Sequence, residues 1–207
     1  PTGGSGKLSG RLGHSGPRMS DATAESEPAG GRSEVEVLFS AESIAQRVDL
    51  LGGEIAAHVD RTCMVIAVLK GSFVFCADLI RSLHRAGMHP RIDFLTLTSY
   101  GTGTESSGDV RITRDISDDV SGMDVLLVDD ILESGRTMAF AKRLIQERGA
   151  KSVSICVFLD KTGKRKVPIE ADHVGFACPD QFVVGYGLDY AHYYRELPFV
   201  GVLRQET

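Results

Sequence analysis

The strongest constraint in this 207-residue sequence is one uninterrupted stretch, VLLVDDILESGRT from Val125 to Thr137. Its four leading apolar residues predict a buried strand, two acids follow, and a glycine-containing turn leads into an amphipathic helical pattern. Open α/β sheets bind ligands beyond the carboxyl ends of their strands. The stretch therefore predicts a ligand site at this strand end.

The turn from Glu133 to Thr137 has the composition of a phosphate cradle. Gly135 permits close approach of the backbone, and Ser134 and Thr137 offer hydroxyl donors at the start of a helix. The turn is too short for a Walker pattern and lacks its Gly-Lys-Ser/Thr ending, which disfavours an ATP-cleaving P-loop. A phosphomonoester fits its size better.

Asp129 and Asp130 come directly before this turn. Two buried carboxylates are costly without partners, and ribose hydroxyls or a divalent cation would satisfy them. Taken alone, the acids are better explained as an ordinary strand end and helix cap. The order of all thirteen residues favours a site for a ribose phosphate.

The remaining chain predicts an α/β fold with a central, mostly parallel sheet flanked by helices, because strand and helix patterns alternate. A helix begins after Ser40, and another closes at Gly149. Short strands near the carboxyl terminus fall outside this alternation. The predicted segments are strands at 63–69, 91–100, 125–128, 153–159, 174–176 and 182–186, and a helix at 73–85.

Composition divides the chain into two parts. Residues 1–33 contain 19 Gly, Pro, Ser or Thr and no aromatic residue, Val or Ile, so we expect a disordered tail or a non-native remnant. Residues 34–207 are expected to form one domain. Residues 101–110 carry three glycines and few apolar groups, which predicts a mobile loop.

Charge and cysteine usage exclude several classes of function. A net charge of −5 argues against a nucleic-acid partner. The sequence shows no run of about 20 apolar residues and no basic-then-apolar leader, so we expect no membrane association and a cytoplasmic protein. The four cysteines lie far apart in mostly apolar runs, as expected of reduced core residues.

These motifs resemble those of the phosphoribosyltransferases, whose signature is an apolar strand, two acids, two apolar residues, then acid, Thr or Ser, Gly, a basic residue and Thr. Further matches resemble the hypoxanthine-guanine branch of that family and span about residues 37–203. They are Leu69-Lys70-Gly71-Ser72, Ser99-Tyr100-Gly101, Lys161, PDQFVVGYGLDY from Pro179 to Tyr190, and Arg195. The resemblance implies that family's fold, with a small hood formed by the N- and C-terminal segments.

The resemblance also implies the substrates, 5-phosphoribosyl 1-pyrophosphate and a purine base, with Mg²⁺. Lys70, Gly71 and Arg195 would contact pyrophosphate, and the family commonly holds the bond before the lysine cis. Asp129 and Asp130 would face the ribose hydroxyls and help to organise Mg²⁺. The phosphate would lie on the turn, formed by Glu133, Ser134, Gly135, Arg136 and Thr137.

Glu133 departs from the family pattern, because the usual residue there is Asp. In the family that acid is thought to accept or share the proton of purine N7. Glutamate adds a methylene, so either the loop shifts to compensate or the proton contact is weaker or mediated by water. The catalytic residues implied by the resemblance are Glu133 and Lys70.

The resemblance also implies which residues would bind the purine. Lys161 would donate to the exocyclic oxygen of a 6-oxopurine, Phe182 would stack on the ring, and the backbone of Val183 would bind its edge. Asp189 would contact the purine side and serve as a second Mg²⁺ ligand. Ser99 and Tyr100 would open a lid over the reacting centre.

The leading hypothesis is a purine salvage enzyme that converts hypoxanthine and guanine to their 5′-monophosphates, with xanthine as a further candidate, and that forms a homodimer or homotetramer. A nucleotide-binding or phosphoribosyl-pyrophosphate-binding regulator on the same fold is the alternative. A dinucleotide-dependent oxidoreductase ranks last, because no G-x-G-x-x-G opens a helix after the first strand.

Overall fold

A six-stranded sheet forms the centre of the protein in a computed structural model that describes residues 35–99 and 110–204. The strands lie in the order β4-β3-β2-β5-β6-β7, and every neighbouring pair is parallel except β3 and β4. The strands are β2 (Met64–Leu69), β3 (Arg91–Ser99), β4 (Val110–Arg114), β5 (Asp124–Leu132), β6 (Ser152–Asp160) and β7 (His173–Ala177). The predicted α/β architecture is confirmed.

Three helices cover the two faces of this sheet. They are α1 (Ala41–Ala56), α2 (Phe73–Arg85) and α3 (Arg136–Glu147). Strand β2 shows why both faces are covered, since Val65 and Ala67 pack in the same core as α1 and α2, whereas Met64 and Ile66 pack in the core under α3. Continuous apolar strands of this kind are typical of parallel sheets buried on both sides.

The N- and C-terminal segments form the expected hood, a three-stranded antiparallel sheet ordered β1-β9-β8. Its strands are β1 (Val35–Phe39), β8 (Val183–Val184) and β9 (Val200–Leu203). Ser40 caps α1 as predicted, because its side chain accepts a hydrogen bond from the Ser43 N–H at 3.2 Å.

Three features of the sheet differ from the predictions. Strand β5 continues past Val128 to Leu132, because its pairing with β6 runs on through Ile131 and Leu132. Strand β7 was predicted to fall outside the alternating strands and helices, but it pairs in parallel with β6 in the central sheet. Val110, predicted to end a loop, begins strand β4, in which Val110 and Ile112 are half-buried and the residues between and after them are exposed.

Two predictions fall on residues that are not described. The tail predicted for residues 1–33, and all of the loop predicted for 101–110 except Val110, lie outside the described residues. Within the described residues, 35–99 and 110–204, no helix is long and apolar enough to cross a membrane.

Candidate active site

The acid pair, Asp129 and Asp130, lies in the part of β5 that continues after its pairing with β2 has ended. Pairing between the two strands stops at Val128, opposite Ala67, so Asp129 and Asp130 extend along β6 with the β2 side left open. The backbone N–H of Asp130 donates to Asp129 Oδ1 at 2.9 Å. The acids therefore belong to the strand itself, which corrects the expectation that the strand ends before them.

Burial governs the ionisation of this pair. Desolvation, reinforced by the charge of Asp130, raises the pKa of Asp129 well above its ordinary value. The pKa of Asp130 is also raised by burial, against smaller lowering effects that include the nearby positive charge of Arg195. Because burial disfavours the charged form of both carboxylates, hydroxyl donors or a cation beside them would stabilise that form.

The turn after β2 lies against these acids. The Leu69–Lys70 peptide bond is cis, as the resemblance implies. Ser72 is buried, and its hydroxyl donates to the Val68 carbonyl at 2.6 Å, which holds the turn to the end of the strand. An ideal Cβ on Gly71 would lie 2.5 Å from Cγ of Asp130, so the turn approaches the acid closely only because this residue is glycine.

The second turn, from Glu133 to Thr137, begins helix α3. Gly135 is its N-cap with φ of 82°, a conformation that favours glycine, and it has no side chain to cap the first turn. The Arg136 N–H donates to Ser134 Oγ at 3.4 Å. N–H groups at a helix start of this kind bind phosphate.

A cavity of about 270 Å³ joins the two turns and the acid pair. It brings together most of the residues predicted for the ribose phosphate and pyrophosphate. Those among its lining are Lys70, Gly71, Asp129, Asp130, Glu133, Ser134, Gly135 and Thr137. A larger groove of about 890 Å³ lies along α3 and is lined by none of the predicted site residues. We therefore assign the chemistry to the smaller cavity.

Lys161 follows β6 and joins the site through Glu133. Its side chain is buried, with Nζ 3.8 Å from Oε1 of Glu133. A lysine among other cations after a strand is more often a solvated surface residue than a ligand-binding one. Lys161 is only 7% exposed, which excludes the surface interpretation.

Two further cations, Lys164 and Arg165, lie around Glu133 and were not predicted to belong to the site. Lys164 Nζ lies 3.5 Å from Glu133 Oε1 and 2.8 Å from Asp180 Oδ1. Arg165 donates to the Glu133 carbonyl at 3.1 Å and pairs with Asp160. The run of four cations after β6 was the available signal, but a charge run is more often a solvated surface.

The segment after these cations supports the phosphate turn. The N–H groups of Lys166 and Val167 both donate to the Ser134 carbonyl, at 2.9 and 3.2 Å. A Cβ on Gly135 would lie 2.6 Å from Cγ2 of Ile169, so the segment packs directly on the turn. The turn is therefore held in place before any ligand binds.

Phe182 directly precedes the hood strand β8 and Val183 begins it, and neither residue lines the cavity. The Phe182 ring is 49% exposed and meets the ring of Tyr190 edge-on, with centroids 5.6 Å apart. Val183 is buried in β8. An exposed aromatic face suits stacking on a ligand better than a role in the core.

Asp189 and Arg195 pair with each other at 2.6 Å. Arg195 also donates to the Gly187 carbonyl at 2.5 Å, and the backbone of Gly187 packs closely on the carbonyl of Gly71. These contacts bring Arg195 to the pyrophosphate side of the site. Asp189 lies in this ion pair, not in a cluster with the acid pair.

Asp129 and Asp130 are two of the three residues predicted to hold Mg²⁺, and the third, Asp189, is paired with Arg195. Asp129 and Asp130 provide adjacent carboxylates with raised pKa, which fit Mg²⁺, a cation that takes one or two carboxylates and fills its shell with water and phosphate oxygens. Across residues 35–99 and 110–204, no group of three or more His, Cys, Asp or Glu side chains could hold a metal.

The lid residues are only partly described. Ser99 ends β3, and Tyr100 lies outside the described residues. Arg136 begins α3 but does not line the cavity.

Comparison with known proteins gives one consistent result. A family model described as a phosphoribosyl transferase domain matches residues 40–191. The hypoxanthine-guanine phosphoribosyltransferase of Bacillus subtilis (strain 168) is 45% identical over 170 residues, which are 82% of this chain and 93% of that protein.

Two further similar proteins are also phosphoribosyltransferases by name or carry that name in part. A bifunctional TilS/HprT protein from Listeria innocua is 45% identical over 83% of this chain, which spans only 26% of that protein's length. A crystal structure of a hypoxanthine phosphoribosyltransferase from Staphylococcus aureus is similar with a TM-score of 0.77 at 42% identity, covering 82% of this chain and 91% of that one.

Proposed function

Because this chain belongs to the phosphoribosyl transferase family, we propose that it transfers a phosphoribosyl group to 6-oxopurines. The substrates are hypoxanthine and guanine, with xanthine as a further candidate, together with 5-phosphoribosyl 1-pyrophosphate. The products are IMP, GMP and pyrophosphate. The observation that carries the proposal is the single cavity shared by buried Asp129, half-buried Asp130 and the start of α3, where no side chain caps the helix.

The phosphoribosyl group binds between these two features. The 5′-phosphate accepts hydrogen bonds from the turn and the first N–H groups of α3. The ribose hydroxyls donate to Asp129 and Asp130, which relieves the burial of two carboxylates. Arg136 adds positive charge at the start of the helix.

The leaving group lies on the other side of the ribose. Lys70 and Gly71 line the cavity, and Arg195 reaches this side through Gly187. The bond from C1′ to pyrophosphate breaks as positive charge develops on the ribose, and the two cations stabilise the departing anion. Asp129 and Asp130 would hold Mg²⁺, with Asp189 as a further ligand, and the bound ion would neutralise negative charge on the pyrophosphate.

The purine binds between the hood and the end of β6. Lys161 donates to the 6-oxo group, Phe182 stacks on the ring and the Val183 backbone binds its edge. As N9 bonds to C1′, the proton on N7 passes to the Glu133 carboxylate. A 6-amino group cannot accept from Lys161, so adenine is a poor substrate.

Ser99 and Tyr100 are proposed to begin the lid that excludes water from the ribose cation. The four cysteines are free and buried, which supports a reducing, cytoplasmic setting. We propose a homodimer or homotetramer, which analytical ultracentrifugation distinguishes.

The test is an assay of the purified protein with Mg²⁺, 5-phosphoribosyl 1-pyrophosphate and, in turn, hypoxanthine, guanine, xanthine and adenine. Chromatography of the nucleotide products should show IMP and GMP and little AMP. Absence of product with all four purines would contradict the proposed activity and favour a binding protein on the same fold.

A further inference from the structure

We infer that Lys164 is a positioning residue for Glu133, and that its ion pair with Asp180 links that acid to the segment that carries the purine-stacking Phe182. This inference rests on the proposed function, because it concerns how Glu133 is held for proton transfer. Lys164 does not line the cavity and has no assigned contact with substrate.

The contacts define the arrangement. Glu133 Oε1 lies between two ammonium groups, Lys161 Nζ at 3.8 Å and Lys164 Nζ at 3.5 Å. Lys164 Nζ is also 2.8 Å from Asp180 Oδ1. The Asp180 and Glu133 carboxylates both raise the pKa of Lys164, which keeps it charged at neutral pH. One cation therefore connects two carboxylates from different segments.

The two lysines differ in their surroundings. Lys161 is buried, and its ammonium is the group proposed to donate to the 6-oxo oxygen of the purine. When the purine binds, Lys161 is shared with the substrate. Lys164 is 52% exposed and outside the cavity, so a bound purine would not compete for its contact with Glu133.

Glutamate needs such a second contact more than aspartate does. Its side chain has one more rotatable bond, and Glu133 is itself partly exposed, so a free carboxylate would sample several rotamers. The Arg165 bond to the Glu133 carbonyl fixes only the backbone. Both lysines contact the carboxylate end, and Lys164 is the one of the two that is not shared with the purine.

Asp180 extends the connection to the purine. It lies two residues before Phe182, in the segment that leads into β8. The pair therefore links the proton acceptor to the stacking face, the two groups that define the orientation of N7. An exposed ion pair contributes little to folding stability, so its effect should be visible in turnover and not in the melting temperature.

The experiment compares steady-state kinetics of Lys164→Ala, Lys164→Arg and Asp180→Asn. Lys164→Ala should lower kcat about threefold to tenfold with little change in KM for 5-phosphoribosyl 1-pyrophosphate. Lys164→Arg should restore most of the loss, and Asp180→Asn should lower kcat by a smaller factor. Thermal melts check that all three variants fold.

Lys151→Ala is the matched control. Lys151 Nζ lies 2.8 Å from Asp124 Oδ2, the same separation as in the Lys164–Asp180 pair, and it is 65% exposed. Asp124 begins β5 and Lys151 precedes β6, so this pair lies at the opposite end of the strands from the cavity. Its removal should leave kcat unchanged.

A Glu133→Asp background separates positioning from general electrostatics. The shorter acid does not reach Lys164, so Lys164→Ala should change kcat less than about twofold in that background. An equal loss in both backgrounds, or a Lys164→Ala enzyme that matches Lys151→Ala, would overturn the inference alone. A wild-type protein inactive with every 6-oxopurine would overturn the proposed function and this inference with it.

Discussion

The carboxylate of Asp130 fills the space that a side chain on residue 71 would need. An ideal Cβ on Gly71 would lie 2.5 Å from Cγ of Asp130 and closer still to Oδ2. The two residues come from neighbouring strands, Asp130 from the part of β5 that extends beyond β2 and Gly71 from the turn that ends β2. The turn and the acid pair are thus one packed unit at the wall of the cavity.

Gly71→Ala should therefore abolish most activity while the protein remains folded. A methyl group there displaces the Asp130 carboxylate, and a misplacement of about 1 Å can cost about a hundredfold in rate. Steady-state kinetics and circular dichroism measure the two effects. Gly53→Ala is the control, because residue 53 lies in α1 with nothing within 4 Å of its Cβ position. That variant should keep full activity and gain about 0.5–1 kcal/mol of stability.

Sequence pattern predicted those elements whose periodicity is unambiguous. Helix α2 occupies the predicted residues 73–85, because its apolar residues follow the helical repeat. The extension of β5 to Leu132 was not predicted, because it depends on pairing with β6 and not on local composition. Strand β4 was missed for the same reason, since its five residues are mostly exposed and gain their order from β3.

The site was predictable where residue types are rare in combination. The acid pair and the glycine turn follow one another in the sequence, and both line one cavity. The roles of Lys164 and Arg165 could not be predicted, because nothing in a run of cations says which ones meet an acid 30 residues earlier. Those contacts arise from tertiary packing of the segment after β6 on the phosphate turn.

Glu133→Gln should lower kcat by about tenfold to a hundredfold, with a smaller effect on KM for 5-phosphoribosyl 1-pyrophosphate. The amide keeps the side-chain volume but cannot accept the N7 proton, and it loses the charge that pairs with Lys161 and Lys164. Glu147→Gln is a suitable control, since Glu147 also forms an ion pair at 3.8 Å, with Arg143 on the surface of α3. An unchanged kcat in Glu133→Gln would remove that residue from proton transfer.

Lys161→Ala should reduce the preference for 6-oxopurines over adenine by about tenfold or more, because it removes a buried donor. The measurement is kcat/KM for hypoxanthine and for adenine in parallel. Since the alanine also leaves a cavity, Lys161→Met is the companion variant of similar volume. Both should lose discrimination equally, and retained preference in Lys161→Met would assign specificity to shape instead of charge.

The cysteines should resist alkylation in the native protein. Burial raises the pKa of Cys63 and of Cys76 to about 11, and it also raises the pKa of Cys156 and Cys178. At pH 8 a thiol with a pKa of 11 is about one part in a thousand thiolate, the reactive form. Mass spectrometry after iodoacetamide should find no adduct on folded protein and four after denaturation. A rapid native adduct would show that one of these thiols is accessible and ionised.

Replacement of both acids, Asp129→Asn with Asp130→Asn, should nearly abolish turnover and yet stabilise the free protein at pH 8. The amides keep the acceptor for the Asp130 N–H, which now bonds Asp129 Oδ1 at 2.9 Å. They remove two negative charges that burial disfavours. Function and stability should therefore change in opposite directions, as is common where a site holds charge for a ligand.

The pH dependence gives the sign of this effect. In the unfolded chain both carboxyls have a pKa near 4, whereas burial raises the pKa of each in the folded protein. Their stabilising contribution is therefore fully present below about pH 4 and is lost as the pH rises through the raised values. Thermal melts should show the variant more stable than wild type at pH 8, by about 2–4 °C for each kcal/mol of charge burial removed, with the gap closing towards pH 4. Coincident melting curves at pH 8 would mean that the acid pair is not destabilised by its burial, and the argument that it requires a ligand would fail.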